Sequence, residues 1–159
     1  MKMRKGFTLV ELLIVIVIIG VLAAAMLLSS GSATASAEAS NIITNLRGLK
    51  AAALMLYADS MDDFNKANPE TPTITDAAKY MDNPGKVKAG GYSIEVDTSD
   101  KTKWFIKADL SSTGLNVAKD VKEKLMSRRE SVGLYKAATA PAPEKGDYDG
   151  GDTVCMVAR

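Results

Sequence analysis

From Phe7 to Leu28 the chain reads FTLVELLIVIVIIGVLAAAMLL, 22 positions that are apolar almost throughout yet include one acid, Glu11. At about 1.5 Å of rise per residue a helix of this length reaches roughly 33 Å, enough to cross a hydrocarbon core of about 30 Å. The stretch predicts a membrane-spanning helix. Beyond Ser29-Ser30-Gly31-Ser32, apolar residues recur every three or four positions at Ile42, Leu46, Leu49, Ala53, Tyr57, Met61 and Phe64. Asn41, Asn45, Lys50 and Asp59 fall on the opposite side. This spacing predicts one long helix from about Phe7 to Phe64, half hydrophobic anchor and half amphipathic spine. Two helices broken at Gly31 are the other arrangement the pattern allows. Serine and glycine cost a helix several tenths to about 1 kcal/mol each, so residues 29 to 32 are expected to form a flexible joint.

The period then shortens. Asn65 to Thr75, with Pro69 and Pro72, reads as a surface loop, and Asp76 to Met81 as a helical turn before Asn83-Pro84-Gly85. In Tyr92 to Val96 the residues Tyr92, Ile94 and Val96 face one way, and Trp104, Ile106, Ala108 and Leu110 resume the alternation after a turn at Thr98 to Thr102. That is a β-hairpin, with Phe105 on its polar side, covering a second surface or serving as a subunit contact. Thr113 is a candidate N-cap for a helix with buried Ala118, Val121 and Leu125, ending near Arg128 and Arg129. Ser131 to Lys136 reads as a third strand, Ala137 to Asp152 as the longest loop and Thr153 to Ala158 as a closing strand. The expected fold class is α+β: a long N-terminal helix packed on a small antiparallel sheet of about four strands with one extra helix.

Charge and composition narrow the function. The formal charge of the 159 residues is +1, but three of the 20 cations lie in Met1 to Gly6; without that segment 17 basic face 19 acidic side chains, a net of −2. This gives no generic grip on nucleic acid. Lys86, Lys88, Lys101, Lys103 and Lys107 do cluster around Tyr92 and Trp104, which fits either a solvated edge that deters strand pairing or a DNA-contacting face. The chain has no histidine, so Ser-His and Cys-His pairs and the common zinc sites are missing, and no complete phosphate-binding loop is present. The protein is read as a non-enzyme without a cofactor. Asp147, Asp149 and Asp152 gather hard oxygen donors of the kind Ca²⁺ takes, but the later bidentate glutamate of a calcium loop is missing and they are read as a plain solvated turn with no metal. Cys155 is the single cysteine, which excludes an intrachain disulfide and leaves a buried apolar role or a link between chains.

The acid inside the apolar stretch needs a partner, because a charge there costs about 2.5 to 3.5 kcal/mol at the centre of a span. Met1-Lys2-Met3-Arg4-Lys5-Gly6 is a short cationic leader of the kind that stays on the cytoplasmic side. Cutting after Gly6 exposes an amine on Phe7 with an ordinary pKa of about 8, cationic at neutral pH. Glu11 lies four residues on, and a neighbouring chain shifted along its axis can equally offer its own amine. At 4 Å and an effective dielectric of about 20, such a pair gains roughly 4 kcal/mol, the order of the burial cost. An ordinary secretory signal, cut among Ala33 to Ala37, is the competing reading, but its apolar region runs about 7 to 15 residues and lacks an acid.

Gly6-Phe7-Thr8-Leu9-Val10-Glu11-Leu12-Leu13-Ile14-Val15-Ile16 resembles the class III leader junction of type IV pilins and the related pseudopilins. The resemblance covers the leader and about the first 25 residues after it. It implies cleavage after Gly6 by a prepilin peptidase, N-methylation of Phe7, and a role for Glu11 in neutralising a neighbour's amine during assembly. Gly20 also falls where many members have glycine. Many pilins carry a proline where this chain has Leu28, and many Gram-negative pilins close a C-terminal loop with two cysteines, which this chain does not. The implied organisation is a leader at 1–6, a transmembrane and assembly helix at 7–28, an amphipathic helix at 29–64 and a globular α+β head, the pilin fold, at 65–159. The implied function is a structural subunit, held in the cytoplasmic membrane and then extracted by the pilus assembly machinery into a self-associated surface filament. A type II secretion pseudopilin and a DNA-uptake or adhesive minor pilin are the alternatives.

Overall fold

The computed structural model describes residues 6–60, 72–88, 90–97, 100–136 and 145–159. Helix α1 spans Leu9–Asp59, and the chain divides into two compact units, Met1–Thr34 and Ala35–Arg159, each of which takes part of this helix. The expected joint at Ser29 to Ser32 is helical backbone within α1. Once a helix exists on both sides, each further residue adds a hydrogen bond for one more fixed backbone, which outweighs propensity penalties of a few tenths of a kcal/mol per residue. The Thr34 hydroxyl donates to the Gly31 carbonyl at 2.9 Å within that stretch. The expected helical residues Met61 and Phe64 lie outside the described residues.

In the second unit α1 buries Ala35, Ala39, Ile42, Ile43, Leu46, Leu49, Ala53 and Leu56, so the predicted stripe is its core face. Asn41 and Asp59 are exposed as expected. The next elements are short: α2 (Ile74–Ala77), capped by the Thr73 hydroxyl accepting from the Asp76 N–H at 3.2 Å, a 3₁₀ turn at Ala78–Tyr80, and α3 at Gly85–Lys88.

The sheet has order β1 (Tyr92–Val96), β2 (Trp104–Asp109), β3 (Thr153–Val157), antiparallel throughout. Register sets Ile94 opposite Ile106 and Ile106 opposite Met156. Trp104, Ile106, Ala108, Val154 and Met156 join Leu46 and Leu49 of α1 in one hydrophobic core. The hairpin and the closing strand thus stand where the alternation places them. Phe105 is also buried, which leaves it no surface for a subunit contact.

Two expectations are corrected. The helix expected from Thr113 begins later, as α4 at Lys119–Ser127, because Ser111 to Leu115 are held in turns. A Cβ on Gly114 would stand 2.3 Å from the Asp109 carbonyl oxygen, and Asn116 has φ 51°, so the chain there follows tertiary packing that no helix permits. Val121 and Leu125 are buried as expected. The strand expected at Ser131 to Lys136 is replaced by a helical turn, α5 (Arg129–Val132), ended by Gly133 at φ 73°. From this segment Tyr135 reaches the sheet, in a bridge to Cys155, so among the described residues three strands stand where about four were expected. The arrangement remains α+β, with extra short helices.

Candidate functional site

The described part of the first unit opens with three non-helical residues, Gly6, Phe7 and Thr8, and α1 follows from Leu9. The Thr8 carbonyl accepts the Leu12 N–H at 3.3 Å, which makes Thr8 the N-cap. Its hydroxyl oxygen accepts the Glu11 N–H at 3.2 Å, while its own N–H and hydroxyl both donate to Glu11 Oε2 at 2.8 Å. This is a reciprocal capping box, and a carboxylate in the first turn is further favoured by the helix dipole. The acid that looked anomalous among apolar neighbours is therefore already held in cis. Thr8 is the residue the sequence reading missed; the signal was there, in Thr8-x-x-Glu11 ahead of an apolar run.

Around this box the apolar side chains have nothing to lie on. Phe7 is 89% exposed, and the large apolar residues from Leu9 to Leu27 are between 50% and 81% exposed. Soluble domains rarely leave such a surface uncovered, and by length and composition α1 is apolar enough to cross a membrane. Gly20 has no heavy atom outside its own helix near the position a Cβ would take.

The other candidate groups do not converge. Asp147 Oδ1 accepts the Lys136 N–H at 3.1 Å, Asp149 Oδ1 accepts the Gly151 N–H at 3.1 Å, and Asp152 pairs with Lys122. Three carboxylates close in sequence are thus spent on three separate tasks, and no metal-ligating cluster exists among the described residues. Of the lysine group, Lys107 pairs with Glu95 at 2.8 Å and Lys103 with Asp100 at 3.6 Å; the side chains of Lys86 and Lys88 lie outside the described ones. Tyr92 and Trp104 are core residues, so neither ring is presented for stacking on a base.

Cys155 is fully buried opposite Lys107 on β2. Burial first, then the nearby Glu95 charge, pushes its thiol up to about 12. A raised thiol pKa means that this group adds nothing to stability loss below the unfolded value of about 8.5 and lowers stability progressively as pH rises from there toward 12. At pH 8 the folded chain should therefore resist maleimide, with full labelling only in denaturant; rapid labelling of the native protein would contradict this burial. A link between folded chains through this sulfur is excluded on the same ground.

Comparison with known proteins adds the following. Residues 1–27 match the family model described as the prokaryotic N-terminal methylation motif. The chain is 33% identical over 130 residues to a type IV major pilin protein PilE1 of Neisseria gonorrhoeae, covering 81% of this chain and 72% of that protein. A second PilE1 from the same organism is 33% identical over 159 residues, covering 95% of this chain and 81% of that protein. No solved structure matches.

Proposed function

The chain belongs to the type IV pilin family, and on that premise we propose how its own residues carry out a pilin's tasks. It is a structural subunit of a type IV pilus. A peptidase cuts after Gly6, the leader 1–6 is lost, and the exposed Phe7 amine is methylated. Residues 7–28 anchor the subunit in the cytoplasmic membrane with the leader inside; in the filament they pack against the same segment of other copies. Residues 29–64 continue as amphipathic helix, and 65–159 form the surface head. Glu11 receives the amine of another copy as the subunits polymerise.

One observation carries this reading: an uninterrupted apolar surface, exposed from Phe7 to Leu27, that bears a single carboxylate at its first turn. Lipid is as apolar as leucine, so moving the helix from bilayer to filament gains little from burial alone, and packing plus the Glu11 pairing must select the register. Such a protein needs partners rather than a reactive pocket: other copies of itself, the prepilin peptidase and the machinery that extracts it from the membrane. We assign it no catalytic activity. Both relatives named above are major pilins, which favours long surface filaments over a secretion pseudopilus; electron microscopy of intact cells separates the two.

Intact-mass analysis of sheared filaments tests the processing. The expected subunit starts at Phe7 and carries one methyl group. A subunit starting at Ser36 or Glu38 would mean an ordinary secretory signal and would overturn the proposal.

A further inference from the structure

Both donors of Thr8 converge on the same oxygen of Glu11, Oε2, at 2.8 Å, and no hydrogen bond reaches Oε1 among the described residues. We propose that Thr8 is the positioning residue for Glu11 in filament assembly: by holding Oε2 in cis it leaves Oε1 as the oxygen that meets the terminal amine of another copy. This rests on the assembly role proposed above for Glu11.

Helical Cα–Cβ bonds tilt toward the N-terminus, so the Glu11 side chain leans over the turn that precedes it, where Thr8 stands. Without the box, a glutamate with three rotatable torsions among apolar side chains has many orientations and one charge to satisfy. With it, two short charge-assisted hydrogen bonds fix the carboxylate while the Thr8 oxygen takes the Glu11 N–H in return. The carboxylate is thus kept oriented in the waiting subunit, and it need not surrender those bonds when an ammonium arrives at its second oxygen. The incoming amine meets a prepared acceptor, and the ordering cost is met before association.

The test is co-assembly. Full-length variants are expressed beside the wild-type chain in cells that make its filaments, and mass spectrometry reports each variant's share of sheared filaments and its leader status in the membrane. Thr8→Ser keeps the hydroxyl and should incorporate within about twofold of wild type, because serine caps as well as threonine. Thr8→Val keeps shape but removes the hydroxyl, and its share should fall roughly fivefold or more while its leader is still removed. A role through Glu11 further requires that Thr8→Val add no loss in a Glu11→Ala background. Thr8→Val incorporating like wild type while Glu11→Ala is excluded would overturn the positioning role and leave Glu11's role standing. Thr8→Val retaining its leader, or losses that add in the double variant, would overturn it too, since Thr8 would then act elsewhere. Normal incorporation of Glu11→Ala itself would remove the reading on which the proposal rests.

Discussion

Glu11→Ala should enter the membrane and lose its leader normally, yet leave at least tenfold fewer filaments on the cell surface. Insertion is not harmed, because the substitution removes a charge that costs about 2.5 to 3.5 kcal/mol at the middle of a span and somewhat less near its end. Assembly loses a pair worth roughly 4 kcal/mol at an effective dielectric of about 20, and each 1.4 kcal/mol is a factor of ten in association. Part of any defect could come from the capping box, since Glu11 Oε2 accepts both Thr8 donors. Glu11→Gln separates the two contributions: glutamine is an accepted N3 partner in the box but carries no charge. If the charge matters most, Glu11→Gln assembles almost as poorly as Glu11→Ala. Filament yield per processed subunit, from sheared and membrane fractions, is the measurement, and wild-type piliation by either variant would sink the role of the ion pair.

That result would also explain why the sequence yields the site in part. The 22-residue apolar run and its acid are visible because membrane thickness sets a length and hydrocarbon excludes charge, both of which are read residue by residue. The helical stripe of α1 and the alternation in Tyr92 to Val96 and Trp104 to Leu110 are visible for the same reason, one period each for helix and strand. What stayed hidden depends on pairs of positions. The part of Thr8 is hidden because Glu11, taken alone, reads as a misplaced charge, whereas its place as the third residue of a helix shows only when the two positions are read together. The helix after Thr113 begins later than its pattern predicts because the tight approach of Gly114 to Asp109 is a contact of the folded chain, which no local propensity reports. Ser131 to Lys136 offered only Val132 and Leu134 as alternation, too short a signal to outweigh the turn ended by Gly133. The three aspartates from Asp147 to Asp152 were close in sequence but point at different partners, so proximity along the chain was no guide to convergence.

The head should depend on Trp104 more than on any loop residue, and Trp104→Ala should cost about 3 to 5 kcal/mol of stability. Its side chain is only 2% exposed, and the Tyr57 ring of α1 meets it edge-on with centroids 5.5 Å apart at 86°. The Arg159 guanidinium lies 3.5 Å from the centre of that same Tyr57 ring, while the Trp104 carbonyl accepts the Ala158 N–H at 2.8 Å. Helix, central strand and final residues are therefore tied at one point within the unit from Ala35 to Arg159. Truncation to alanine leaves a void that the sheet and α1, fixed by the rest of the core, close only in part, and it removes an aromatic pair worth about 0.5 to 1.5 kcal/mol beyond its buried area. Domains of this size hold about 5 to 15 kcal/mol in total, so the loss takes a large share of it. Pulse proteolysis of the detergent-solubilised full chain across a urea series reads the change without relying on tryptophan fluorescence. With a slope of about 1 to 3 kcal/mol per molar urea, the midpoint should fall by roughly 1 M or more. Trp104→Phe, which keeps an aromatic ring in the core, should lose distinctly less, and Lys101→Ala, exposed at the hairpin turn, should stay within about 0.5 kcal/mol of wild type. A Trp104→Ala midpoint equal to that of Lys101→Ala would mean that the head is not held together at this junction.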